Sequence, residues 1–185
     1  MVAAGKATLI IICLCLGAFA CKDPNIEIPK QEIRKNPSNA EAHYQLGAGY
    51  KKAGKPDLAV EAYKQAVRLK PNYVEAYIGM GEAYNDLFRH QDAIEAFKQV
   101  IQLNPNSADA YRNMGWAYLK LRRQKESLEA FKEAIRFKPD DAKAHYGLGY
   151  ASFIFNDRGA ALEEYKVLQT LNKELADKLF GDIYK

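Results

Sequence analysis

The segment AEAHYQLGAGYKKAGKPDLAVEAYKQAVRLKPNY, residues 40–73, decides the fold, because its pattern returns three more times at a spacing of 34 residues. Leu-Gly or Met-Gly pairs fall in register at 46–47, 80–81, 114–115 and 148–149. Small residues and aromatic rings repeat at the same offset: Ala59, Ala93, Ser127 and Ala161, then Tyr63, Phe97, Phe131 and Tyr165. A fixed period of this length indicates tandem structural repeats that stack on one another.

Each repeat contains two apolar stripes at helical spacing, separated by a short turn. In the first repeat we expect helix A at about residues 40–53 and helix B at about 57–70. Gly54 would take the left-handed conformation that ends helix A, and Pro71 would follow helix B. We expect the glycines of the Leu-Gly and Met-Gly pairs to let one helix backbone approach its neighbour, while the repeated rings fill the wider gaps.

These positions match the tetratricopeptide pattern W-x2-L-G-x2-Y, A-x3-F and P, so the chain resembles a tetratricopeptide repeat (TPR) protein from about residue 40 to 185. The resemblance implies an all-α, right-handed TPR superhelix, or α-solenoid, of four helix-turn-helix repeats. We expect the repeats at residues 40–73, 74–107, 108–141 and 142–172. Leu175, Leu179 and Ile183 share one helical face, which predicts a C-terminal capping helix over residues 173–185.

Residues 21–39 precede the first repeat and combine two patterns. Ile33 has the register of the apolar residues that end each helix B, so residues 32–37 are expected to be the remnant of a half-repeat. Between residues 22 and 30, Pro24 and Pro29 leave no helical pattern, so a short extended tether is expected there.

The N-terminal apolar run covers residues 7–20 and follows Lys6. As a helix, it would reach about 21 Å at about 1.5 Å per residue, short of a bilayer core of about 30 Å. We therefore expect residues 1–20 to be a signal peptide rather than a permanent membrane span. Its removal would leave Cys21 as the first residue of the mature chain.

The segment Gly17-Ala18-Phe19-Ala20-Cys21 is similar to a bacterial lipobox. The resemblance implies lipid (palmitate or another acyl chain) on Cys21 and a lipoprotein anchored in the bacterial cell envelope, facing the periplasm. Lys22, rather than an aspartate, favours the outer membrane. Residues 18–20 also fit the small-x-small rule of ordinary signal peptidase, which would release a soluble periplasmic protein.

Composition and motifs exclude several kinds of function. The formal net charge is +4, but acidic and basic residues are interspersed, so no basic stripe predicts nucleic-acid binding. No metal-ligand spacing, phosphate-binding loop or nucleophile motif is present, so we expect no enzyme, cofactor, metal site or small-molecule substrate. His43 and His145 occupy equivalent repeat positions, which favours a packing role for both.

The resemblance to TPR proteins also assigns a concave groove, lined by the A helices, to a peptide or helix of a protein partner. Its predicted binding residues are Tyr44, Ile78, Glu82, Arg112, Trp116, Lys120, Tyr146, Tyr150 and Phe153. The rings at 116, 146, 150 and 153 form the candidate hot spot, because rigid aromatic side chains anchor partners well. The alternative is that some of these rings pack against the next helix or the capping helix.

The clamp of Lys, Asn and Arg with which chaperone-associated TPR domains hold a C-terminal carboxylate is missing. The corresponding positions hold Tyr44, Ala48, Gly79, Asp109 and Asn113. The sequence therefore predicts a non-catalytic adaptor that resembles bacterial envelope TPR lipoproteins in architecture. A soluble periplasmic adaptor and a scaffold that self-associates through its repeat ends remain as alternatives.

Overall fold

The structure is a computed structural model that describes residues 23–184. Within this range the chain forms ten α-helices and no strand. They are α1 (Pro24–Lys35), α2 (Ala40–Lys52), α3 (Pro56–Leu69), α4 (Val74–Asp86), α5 (His90–Leu103), α6 (Ala108–Lys120), α7 (Gln124–Phe137), α8 (Ala142–Ile154), α9 (Arg158–Leu171) and α10 (Lys173–Tyr184). The predicted signal peptide and the predicted lipid site at Cys21 lie outside the described residues.

Four helical hairpins form the body of the molecule: α2 with α3, α4 with α5, α6 with α7, and α8 with α9. Each hairpin packs on the next, and the A helices α2, α4, α6 and α8 also contact one another in order. The all-α solenoid of four hairpins with a capping helix is confirmed. The first hairpin has its helices at 40–52 and 56–69, within one residue of the prediction.

The turn from helix A to helix B has the same backbone form in every hairpin. One residue takes a positive φ: 68° at Gly54, 58° at Phe88, 58° at Arg122 and 66° at Asn156. The next residue donates its N–H to a carbonyl five residues back, as Lys55 does to Tyr50 at 2.9 Å and Arg89 to Tyr84 at 2.9 Å. This is the Schellman ending of a helix. The sequence predicted it at Gly54 and did not reveal it in the other three turns.

The repeated glycines make room for rings rather than for a neighbouring backbone, so the predicted role of these glycines was wrong. A Cβ on Gly47 or Gly79 would stand 2.7 or 2.5 Å from the ring of Tyr63. Phe131 lies in the same way between Gly115 and Gly147. Each of these two rings is therefore shared between its own helix A and the helix A of the next hairpin.

Helix α1 replaces the extended tether expected between residues 22 and 30, and that prediction was wrong. Asp23 caps the helix by accepting the N–H of Asn25 at 2.9 Å, and Pro24 suits the first turn because it needs no N–H partner. Pro29, inside the helix, leaves the carbonyl of Asn25 without its helical donor. That carbonyl lies against Gly49, where the missing side chain lets α1 approach α2.

Helix α10 packs against α8 and α9, in the place that helix A of a fifth repeat would take. Its apolar face buries Ala176, Leu179 and Ile183. In this last repeat, Gly149 meets Leu179 of α10 instead of a helix B ring, and Tyr165 packs on Phe180 with centroids 5.4 Å apart. Helix α10 thus covers the apolar end of the solenoid.

Candidate partner-binding site

All nine predicted groove residues lie on the A helices. Tyr44 is on α2, Ile78 and Glu82 are on α4, and the others are on α6 and α8. Because neighbouring A helices contact one another, they form one continuous wall, which we call the inner wall. The helices hold these side chains in three environments: an open cleft, a set of ion pairs and a cluster of rings.

The first environment is a cleft of about 390 Å³ between α2 and α4, which we call the N-terminal cleft. Tyr44 and Ile78 form its apolar sides together with Ala48. Lys51 pairs with Glu82 across the two helices and closes one margin. A cleft of this size, with apolar sides and charged residues among its lining, is suited to hold an apolar side chain of a partner next to a polar group.

The N-terminal cleft continues into a second cavity of about 360 Å³ between α1 and α2, which sequence reasoning missed. Both cavities share Tyr44 and Ala48, and the second one adds Ile28 and Pro29 from α1. It was missed because α1 was expected to be extended. The Asp-Pro start at residues 23–24 is the sequence signal for a helix that could have revealed it.

The second environment holds Arg112, which binds two carboxylates. Its guanidinium lies 2.6 Å from Asp109 and also pairs with Asp141. Asp141 is buried, and it accepts the N–H of Lys143 at 3.0 Å and of Ala144 at 3.2 Å at the start of α8. Arg112 therefore ties the third repeat to the fourth, because removing it would leave a buried carboxylate without its cation.

The third environment is the ring cluster of Trp116, Tyr146 and Tyr150, whose centroids lie 6.0 Å apart in each pair. Trp116 also meets Phe131 edge-on at 5.3 Å. Trp116, Tyr150 and Phe153 keep part of their surface exposed. Aromatic rings at such separations and tilts attract one another beyond the effect of burial, so the cluster is a rigid surface.

Tyr146 differs from its neighbours because α10 covers it. Only 8% of its surface is exposed, and its hydroxyl donates to Asp182 at 2.9 Å. The ammonium of Lys178 lies 4.7 Å from the ring centroid. Burial, together with the carboxylate of Asp182, raises the pKa of Tyr146. The ring of Tyr146 therefore packs against the capping helix α10. Packing of a hot-spot ring against this helix was the alternative to partner binding that the sequence left open.

Lys120 lies at the end of α6 and is exposed. It lines a small cleft of about 250 Å³ together with Leu119, Arg122, Tyr150 and Ile154. An ammonium beside a partly exposed ring and two aliphatic side chains can bind a carboxylate of a partner whose apolar side chain rests on Tyr150. The ring cluster and Lys120 are thus neighbours on the inner wall.

The two equivalent histidines hold turns together. His145 is bonded through Nδ1 to Glu164 at 2.6 Å and through Nε2 to the carbonyl of Pro139 at 2.9 Å. The hydrogen bond to Glu164 raises the pKa of His145 against the opposing effect of burial. His43 bonds the carbonyl of Pro37 at 3.1 Å. In the part of the chain that the structure describes, no group of three His, Cys, Asp or Glu is placed to hold a metal ion.

The repeat pattern is also found by comparison with known families. Residues 44–108, 86–142 and 112–174 each match the tetratricopeptide repeat, and together these matches span more than half of the chain. The chain belongs to the tetratricopeptide repeat family. TPR proteins are generally non-catalytic and bind other proteins, so the coarser prediction of a protein-interaction fold is confirmed.

Solved TPR structures share this architecture. The sequence in the crystal structure of MamA is 30% identical to this chain. The superposition covers 82% of this chain and 89% of the MamA chain, with a TM-score of 0.76. TTC0263, a thermophilic TPR protein of Thermus thermophilus, is 22% identical, with coverages of 86% and 89% and a TM-score of 0.71. YrrB, described as a TPR protein with an unusual peptide-binding site, is 19% identical, with coverages of 84% and 79% and a TM-score of 0.70. No curated protein matches this TPR chain.

None of the helices among residues 23–184 is both long enough and apolar enough to cross a membrane.

Proposed function

We propose that this TPR protein is a non-catalytic adaptor of the bacterial cell envelope. Lipid on Cys21 would hold it at a membrane, facing the periplasm, with the outer membrane favoured, and its inner wall would bind a peptide or a helix of another envelope protein. The observation that carries the binding proposal is the pair Trp116 and Tyr150, two partly exposed rings with centroids 6.0 Å apart on adjacent A helices. Rigid aromatic pairs in a concave surface are the usual anchors of protein interfaces.

The inner wall favours a partner segment with apolar side chains at intervals. One would rest on the ring cluster and another would enter the N-terminal cleft beside Tyr44 and Ile78. Charged groups beside these apolar positions, Lys120 at one and the Lys51–Glu82 pair at the other, would set the direction and register of the segment. Binding of such a segment requires no catalytic group on the inner wall, so we propose an adaptor rather than an enzyme.

Binding is tested by crosslinked capture from bacterial envelopes with the variant Trp116→Ala/Tyr150→Ala. The matched control is Phe180→Ala/Tyr184→Ala. It removes two rings at the C-terminal end of the solenoid, of which Phe180 is 43% exposed and Tyr184 is 54% exposed. We expect one partner to be captured by wild type and the control and lost from the inner-wall variant. Thermal melting must show that both variants are fully folded at the temperature of the capture. Equal capture by all three proteins would refute binding at the ring cluster.

Lipid anchoring has a separate test. In a Cys21→Ser variant, the protein should move from the membrane fraction to the soluble fraction. Mass spectrometry of the wild type should find acyl chains on its N-terminal cysteine. A wild-type chain that is soluble and carries a free thiol at residue 21 would instead support the soluble periplasmic adaptor.

A second candidate, self-association, is favoured by the rings at the C-terminal end. Phe180 and Tyr184 are exposed, and their centroids lie 4.4 Å apart. Exposed rings on the capping helix can pack on another copy of the chain. Sedimentation equilibrium of the purified protein should then give a mass that rises with concentration, and Phe180→Ala/Tyr184→Ala should remain a monomer. A constant monomer mass for wild type would exclude this candidate.

A further inference from the structure

The four turns from helix A to helix B lie along one edge of the solenoid, because all A helices run in one direction and all B helices in the other. We call this edge the turn edge; it comprises residues 51–58, 85–92, 119–126 and 153–160. Neighbouring turns touch, since the guanidinium of Arg123 donates to the side-chain oxygen of Gln91 at 3.5 Å. The turns thus line one edge of the solenoid, which meets the inner wall at Lys120 and Phe153.

Phe88 is the most unusual residue of the turn edge. Its side chain is 83% exposed, and its φ of 58° is in the left-handed region, which is costly for a bulky residue. The ring has one ring neighbour, His90, at 6.2 Å. Neither burial nor backbone preference accounts for phenylalanine where the first and last repeats have Gly54 and Asn156. A bulky, exposed residue held at positive φ is a strained feature of the kind from which a functional role can be inferred.

The turn edge is also basic. Its four turns contain nine basic and five acidic residues, a net charge of +4 that equals the formal charge of the whole chain. Among the described residues, Lys52, Lys55, Arg122 and Lys125 are exposed and form no ion pair. At the opposite edge, no described turn carries an exposed aromatic ring. Of the two edges, the turn edge therefore combines an exposed ring with unpaired cations among residues 23–184, and the opposite edge does not.

The start of the described chain lies at the same edge. Asp23 shares a cavity of about 430 Å³ with Ala53, Lys55 and Leu58 of the first turn. In the sequence, Cys21 precedes Asp23 by two residues. Any acyl chain on Cys21 would therefore bring the turn edge, rather than the opposite edge, toward the membrane.

We propose that the turn edge is a docking surface for a membrane of anionic phospholipid. Phe88 inserts its ring among the headgroups, and the cations at Lys52, Lys55, Arg122 and Lys125 contact the lipid phosphates. Aromatic rings favour this interfacial layer, and each basic side chain near an anionic surface adds attraction. The proposal deepens the proposed anchoring at Cys21, but the exposed ring and the cations support it without the lipid.

The test uses the chain from residue 21 with Cys21→Ser, which keeps every described helix and carries no lipid. It is sedimented with vesicles of phosphatidylglycerol and phosphatidylcholine in equal parts, and with vesicles of phosphatidylcholine alone. We expect binding to the anionic vesicles only, weakened by salt. Arg122→Glu/Lys125→Glu should reduce binding about tenfold or more. The control Lys138→Glu/Lys173→Glu has the same net charge, changes exposed lysines at the opposite edge, and should bind as wild type does.

Phe88→Asn separates the role of the ring from charge and from folding. Asparagine already holds this conformation at Asn156, so the variant should melt no lower than wild type while its binding falls severalfold. Failure of the unmodified surface to bind anionic vesicles would overturn the proposal, as would equal losses in the two charge-reversal variants. Because the Cys21→Ser chain carries no acyl group, such a failure leaves the separate test of Cys21 anchoring unaffected.

Discussion

Replacing Gly147 by alanine should destabilise the protein, although alanine is the better helix former. The added carbon would lie 2.7 Å from Cζ and 2.8 Å from Cδ1 of Phe131. This ring is fully buried, lies against Gly115 on its other side and meets Trp116 edge-on at 5.3 Å. The ring therefore has no free space into which it could move.

The magnitude follows from two opposing effects. Alanine gains about 1 kcal/mol over glycine inside a helix. Overpacking of a closed core costs about 1–3 kcal/mol. We expect Gly147→Ala to lower the free energy of unfolding by about 1 kcal/mol. Gly181→Ala is the matched control, because nothing lies within 4 Å of an added Cβ in α10, and it should raise that free energy by about 0.5–1 kcal/mol.

Urea unfolding followed by circular dichroism measures both changes. A smaller side chain at position 131 should relieve the crowding, so Phe131→Leu and Gly147→Ala together should cost less than the sum of the two single changes. Contacting residues typically show coupling of about 0.5–3 kcal/mol. If Gly147→Ala stabilises the protein as much as Gly181→Ala does, the shared-ring packing is refuted.

Three further predictions concern single side chains. The pKa of His145 is raised mainly by its hydrogen bond to Glu164, so the stability that it contributes is complete below about pH 6.5 and is lost as pH rises through the raised value. The difference in unfolding free energy between wild type and His145→Gln should shrink over that range, and a difference independent of pH would contradict this. Tyr146→Phe removes the hydrogen bond to Asp182 and should cost about 1 kcal/mol in urea unfolding; no loss would mean that the bond does not hold α10. Phe88→Asn should raise the free energy of unfolding by about 1 kcal/mol, because asparagine tolerates positive φ, and a decrease would show that the ring contributes to packing.

The repeats could be predicted from the sequence because their signals are local. Helical spacing, the glycine at position 54 and the proline at position 71 each mark a boundary, and the period repeats that information in every unit. Helix α1 was harder to predict, because its local signals conflict. Asp23-Pro24 is a helix-start signal, but Pro29 is unfavourable inside a helix. The helix is supported by packing on α2, including the fit of Asn25 against Gly49. Tertiary contact outweighed local preference there.

The candidate site was predictable to the level of the helix face. The repeat register placed Trp116 and Tyr150 on the inner wall, since equivalent positions of stacked hairpins share one surface. The register could not indicate that Tyr146 would be covered, because that depends on where α10 lies. The left-handed turn at Phe88 was equally hidden, since residue type alone predicts it for glycine and not for phenylalanine.

The rings shared between hairpins affect how the protein folds while it is being synthesised. Tyr63 needs Gly79 as well as Gly47, and Phe131 needs Gly147 as well as Gly115, so a completed hairpin still lacks one side of its own core. The nascent chain must extend about one further helix before each ring is enclosed. The first and third hairpins, when newly made, therefore present an incompletely packed aromatic ring to chaperones or export factors until the next helix A is added.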